Sequence, residues 1–148
     1  MMKTRTLAGM FVLLVACSSV AYSQSLIEEF SFVIKDFQMD HQAQTNNLNI
    51  SISYRYLPNI QKSEYPDFRG LAKDIETLLA NYPNKDDYWE IVNKRITSLL
   101  LDKYPGIVSV TSDLKVDPSS LIPYLRSSRV TRERAMTKSN RKRIGRRE

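Results

Sequence analysis

The chain predicts a two-layer α+β domain in ββααββ order, an antiparallel four-stranded sheet with two helices on one of its faces. Three observations carry that expectation. Leu48, Ile50, Ile52, Tyr54 and Tyr56 alternate strictly with polar residues, the period of a strand with one face covered and the other wet. Phe68, Leu71, Ala72, Ile75, Leu78 and Leu79 recur at helical spacing, as an amphipathic helix requires. A second helical stripe begins near Trp89 and ends at Tyr104-Pro105-Gly106, after which alternation resumes.

Each element has its own local signal. Phe30, Phe32 and Ile34 alternate, and Phe37 and Met39 continue on the opposite parity, which predicts a first strand kinked by a bulge near Asp36. Asp40 to Asn47 is polar and reads as a hairpin loop of about eight residues before the second strand. Leu57 to Pro66 is a connector, and Asp67 is a suitable N-cap for the first helix. Asn81-Tyr82-Pro83-Asn84 ends that helix. Asp86 or Asp87 is expected to cap the second, whose core positions are Ile91, Val92, Ile96, Leu99 and Leu100. Val108, Val110, Leu114 and Val116 form the third strand, with Ser112 as a polar interruption, and Arg126 to Arg134 forms a fourth, edge strand around Val130. Two helices cover only one sheet face, so the other stays open unless subunits close it, and a homo-oligomer is expected.

The two ends differ from this body. Lys3 and Arg5 precede an apolar run from Leu7 to Ala16, followed by small and polar residues to Ser23, the three-part pattern of an export signal over residues 1–23. The run is about half the roughly 20 residues a membrane-spanning helix needs. The chain's one cysteine lies in Leu14-Val15-Ala16-Cys17, which resembles the bacterial lipobox, where the cysteine is lipidated and cleavage falls just before it. Cleavage after Ser23 is the equal alternative. The expected location is therefore periplasmic, secreted or lipid-anchored to a bacterial membrane. Residues 24–134 form a single domain in a chain of 148 residues that is 42% hydrophobic, an ordinary globular composition. Residues 135–148 form a basic tail. From Leu125 onward ten basic residues face only Glu133 and Glu148, whereas the body is acidic. Such a tail is a solvated terminus or an attachment to an anionic membrane surface; nucleic acid is not the expected partner of an exported chain.

Composition also narrows the chemistry. The exported body lacks cysteine for a disulfide or a thiolate, and His41 is the single histidine, so no zinc site is expected and no cofactor is called for. His41 sits in Met39-Asp40-His41-Gln42 and reads either as a base oriented by Asp40 or, in keeping with its polar surroundings, as a solvated turn residue.

The run Tyr88-Trp89-Glu90-Ile91 through Tyr104-Pro105 to Val116-Asp117-Pro118 resembles the second helix and third strand of the tunnelling fold (T-fold), most closely dihydroneopterin aldolase and more distantly urate oxidase. The resemblance covers residues 27–134. It implies that Glu90 grips the amidine-like edge of a purine- or pterin-like heterocycle at a subunit interface, and that Tyr65 or Phe68 supplies an aromatic face over the ring. A carboxylate at a helix start suits that task, because it accepts two parallel N–H bonds and the helix N-terminus favours negative charge. Where the aldolases place a catalytic lysine this chain has Asp117, with Lys115 two residues earlier. The departure favours a non-catalytic scaffold or binding module; an aldolase-like enzyme is the alternative.

Overall fold

A computed structural model describes residues 26–135 apart from Asn59. The export signal, Cys17 and the tail beyond Ala135 lie outside the described residues. The alternation from Leu48 to Tyr56 becomes β2 (Gln44–Tyr56), paired antiparallel with β1 (Glu29–His41). The parity switch in β1 is a bulge. Its register with β2 shifts between Ile34 and Phe37, and Asp36 adopts φ 54°. That extra residue returns Phe37, Met39 and His41 to the face already carrying Phe32 and Ile34. The hairpin loop is two residues long, not eight, since both strands run to the Gln42-Ala43 turn. The polar stretch stays in the sheet because Asn46 is buried and its Nδ2 donates to the carbonyls of His41 and Gln44.

After a single 3-10 turn at Lys62–Glu64, the Asp67 carboxylate accepts from the Arg69 amide and starts α1 (Phe68–Ala80), which buries Leu71, Ile75 and Leu79. The second helix, α2 (Trp89–Lys103), is capped by neither expected aspartate. Its N-cap is Tyr88, which makes no side-chain cap bond. Asp87 is unavailable because its carboxylate accepts from Tyr82 Oη at 2.7 Å and Asn84 Nδ2 at 2.6 Å. The buried face of α2 is also rotated from expectation. Trp89, Asn93, Thr97 and Leu101 join Val92, Ile96 and Leu100 inside, Leu99 is half-buried and Ile91 is exposed.

β3 (Ile107–Val116) pairs with β2, and β4 (Arg126–Glu133) pairs with β3, giving an antiparallel sheet in the order β1-β2-β3-β4. A shift in the β2–β3 register makes Val108 an extra residue, so Ile107 opposite Tyr56 takes the core place expected for Val108. The Val108 carbonyl instead accepts from the Arg134 amide at 2.8 Å. Helix α1 packs on β1, and α2 lies across β3 and β4. The helices are tied by Asp74, which accepts from Lys103 Nζ and Tyr104 Oη at 2.6 Å each. Burial raises the Asp74 pKa, but these two donors outweigh it and hold the carboxyl below its usual range.

The core lies between the helices and one sheet face, where Leu48, Ile50, Val110, Leu114 and Val116 are fully buried. The opposite face carries Asn47, Asn49, Ser51, Ser53, Thr111 and Asp113 and is covered by no element among the described residues. That face is polar, and several of its side chains bond one another, as Asn47 Nδ2 does to Asp117 at 2.6 Å and Ser53 Oγ to Glu29 at 2.7 Å.

Candidate functional site

The first turn of α2 is built from the loop before it. Tyr82 is buried, and both its burial and the Asp87 carboxylate push its phenol up to about 12. With the Asp87 side chain pinned, the Asp87 carbonyl points back to the hairpin tip and accepts from His41 Nε2 at 2.8 Å and Gln42 Nε2 at 3.1 Å. The Trp89 ring then packs on the His41 ring with centroids 4.5 Å apart. His41 is 1% exposed. It is thus neither a solvated turn residue nor a base oriented by Asp40, whose carboxylate accepts from Thr45 Oγ1. A sequence signal for its burial did exist, since His41 continues the Phe37-Met39 parity. Asn93, on the next turn, gave none. Its Nδ2 donates to the carbonyls of Ser112 and Ser128 at 3.1 and 2.8 Å beneath α2.

Glu90 leaves this fixed base on the exposed side of the helix and has no hydrogen-bond or ion-pair partner among the described residues. Tyr88 and Ile91 beside it are also exposed. Because Asn93 joins this part of α2 to Ser128, Glu90 belongs to the end of the sheet where β3 gives way to β4. There Tyr124 and Leu125 are exposed as well. An unpaired carboxylate at a helix N-terminus can accept two parallel N–H bonds from a flat donor-edged ligand.

Tyr65 and Phe68 lie at the opposite end. Phe68 stacks on Phe30 near the start of β1, with centroids 5.5 Å apart and planes at 30°, and its own ring is 43% exposed. Tyr65 packs on Tyr56 at 4.7 Å and its hydroxyl donates to the Glu28 carboxylate. Phe30 and His41 are 11 residues apart on β1, a span of about 35 Å at roughly 3.3 Å per residue. Within one chain, then, Glu90 does not meet Tyr65 or Phe68.

Asp117 is on the open sheet face at the Glu90 end, one residue past β3. Its carboxylate accepts from Asn47 Nδ2 at 2.6 Å and Asn49 Nδ2 at 3.2 Å, and Asn47 Nδ2 also reaches Asp36 at 3.2 Å. The carboxylate is thereby committed to amide donors. Lys115 is exposed opposite Asn49 on the same face. The described residues include no group of three or more His, Cys, Asp or Glu side chains placed to hold a metal, and no helix long and apolar enough to cross a membrane.

No protein-family model matches the chain, and no curated protein matches it. Solved structures do. A Burkholderia dihydroneopterin aldolase bound to guanine superposes with a TM-score of 0.54 at 13% identity, over 72% of this chain and 92% of that one. A Vibrio cholerae protein assigned as a dihydroneopterin aldolase gives a TM-score of 0.55 at 8% identity, over 71% of this chain and 98% of that one. At such identities the likeness is one of architecture, and the ββααββ order, the single antiparallel sheet and the two helices on one face are those of the tunnelling fold as dihydroneopterin aldolases have it.

Proposed function

We propose that this is an exported tunnelling-fold protein whose subunits assemble into an oligomer and bind a flat purine- or pterin-like heterocycle between them, as a binding module without aldolase turnover. The observation that carries the reading is Glu90, exposed and without a partner among the described residues on the first turn of α2. Its carboxylate takes the two N–H groups of an amidine-like edge, a charge-assisted pair worth about 1.5–3 kcal/mol. Tyr65 and Phe68 lie at the opposite end of the domain from Glu90, so they line the same ligand only as residues of another subunit. The guanine bound in the Burkholderia relative is a ligand of the proposed class.

The aldolase reading requires a lysine where Asp117 stands, and Asp117 is held by Asn47 and Asn49. That favours binding over turnover. Export rests on residues 1–23, and an anchor rests on lipidation of Cys17 or on the basic tail. Cys17→Ser separates the lipid from simple secretion by the mature mass and by release from membranes.

Calorimetric titration of the parent and of Glu90→Ala with guanine and with neopterin tests the site. The expected result is saturable binding by the parent and at least a tenfold weaker affinity in the variant, with melting temperature and oligomer unchanged. Equal affinity in both proteins, or no binding by the parent, overturns the reading.

A further inference from the structure

A helix start without a side-chain cap leaves its first amides poorly held, and α2 begins on such a start at Tyr88. The first turn has to be fixed from elsewhere if Glu90 is to present a defined carboxylate. The β1–β2 hairpin tip supplies three hydrogen bonds to the segment just before the helix. His41 Nε2 reaches the Asp87 carbonyl at 2.8 Å, Gln42 Nε2 reaches the same oxygen at 3.1 Å, and the Gln42 amide donates to the Lys85 carbonyl at 2.8 Å. A carbonyl only accepts, so Nε2 carries the hydrogen. The His41 ring also packs against Trp89, the residue directly before Glu90.

The tip is itself in a costly conformation. Gln42 and Ala43 have φ of 53° and 61°, the left-handed region, with no glycine at either position. Such geometry persists where surrounding contacts over-determine it, and here those contacts are the bonds to Lys85 and Asp87. His41 is almost wholly buried at the end of β1, on the face that carries Phe37 and Met39. The arrangement therefore spends hairpin strain and a buried imidazole on one task, fixing the carbonyl that precedes α2.

We propose that His41 is a positioning residue for the Glu90 site: the hairpin tip clamps the start of α2 through the Asp87 carbonyl and the Trp89 ring, and so sets the direction of the Glu90 carboxylate. The proposal rests on Glu90 being the anchor, but the clamp can be read without any ligand. In the full-length protein, His41→Phe keeps a ring against Trp89 and removes the donor, while His41→Gln restores a donor. Hydrogen exchange in His41→Phe should accelerate at least tenfold at the Ile91 and Val92 amides and stay unchanged at Leu99 and Leu100. His41→Gln should recover much of the protection. Guanine affinity should fall several-fold in His41→Phe, and the same substitution should have no further effect in a Glu90→Ala background.

Unchanged first-turn exchange in His41→Phe overturns the proposal, as does a uniform acceleration along α2, which would mark a general packing role. If His41→Phe does not fold, Gln42→Ala removes a second bond to the same carbonyl and should give the same local pattern in smaller degree; its absence is equally refuting. A parent protein that binds no guanine retires the Glu90 anchor, whereas local loss of first-turn protection in His41→Phe would still uphold the clamp.

Discussion

Replacing Asn93 with alanine should release β4 from the body of the domain. β4 reads Arg-Ser-Ser-Arg-Val-Thr-Arg-Glu, and Val130 is its one sizeable apolar residue, only half-buried. Burying a valine completely contributes about 1.5–2 kcal/mol, so partial burial holds the strand weakly. Asn93 is fully buried and its Nδ2 joins α2 to Ser112 of β3 and Ser128 of β4. Its removal deletes two hydrogen bonds that tie α2 to the strands, worth about 0.5–1.5 kcal/mol each. Against that, Asn93 Oδ1 is buried without a hydrogen-bond partner, and deleting it returns about 1 kcal/mol. The balance is a destabilisation of about 1 kcal/mol, comparable with the partial apolar contribution of the strand. Urea unfolding followed by fluorescence of the single tryptophan would measure the loss, and hydrogen exchange would locate it in the amides of β4. A loss below about 0.5 kcal/mol with β4 fully protected would refute the reasoning and mean that the β3–β4 ladder alone holds the edge.

Two further outcomes follow from the hairpin tip and the buried phenols. Ala43→Gly removes a left-handed alanine at φ 61° and should stabilise the protein by about 0.5–1 kcal/mol, read as a higher urea midpoint; a lower midpoint would mean that the turn is unstrained. Burial raises the phenol pKa of Tyr54, and burial with a carboxylate partner does so for Tyr104 and Tyr82, the last to about 12. These groups are more readily protonated in the folded state than in the unfolded chain. The stability they contribute is therefore complete below about pH 10, the ordinary phenol value, and is lost as pH rises through the folded values. Tyrosinate absorbance should show a late, cooperative step coincident with unfolding, and smooth titration of all eight tyrosines near pH 10 would contradict the burial.

The fold was readable wherever apolar periodicity was strong. The bulge at Asp36, β2 from Leu48 to Tyr56, the Asp67 cap and the edge strand around Val130 all follow from local pattern. What escaped depended on partners distant in sequence. Asp40 to Asn47 looks like a loop because its residues are polar, yet His41 bonds a carbonyl 46 positions away, and no local rule reports that. Asp87 is a good cap by type, but Tyr82 and Asn84 take its carboxylate first. The face of α2 differs from its apolar pattern for a related reason. Asn93 and Thr97 occupy core positions that an apolar count leaves empty, and their burial turns Ile91 outward. Val108 and Ile107 exchange roles because the register shift opposite Tyr56 cannot be seen in one strand alone. Of the site, Glu90 and Asp117 were named from sequence, whereas the wide separation of Glu90 from Tyr65 and Phe68 emerged only when the strands were laid in register.

Native mass spectrometry of the exported protein, recovered from membrane and soluble fractions, tests the central claim most directly. The account predicts an oligomer of ring size that carries a small heterocycle-sized mass, and that loses this mass but not its assembly in Glu90→Ala. A bare monomer, or a bound mass that persists in Glu90→Ala, would contradict it.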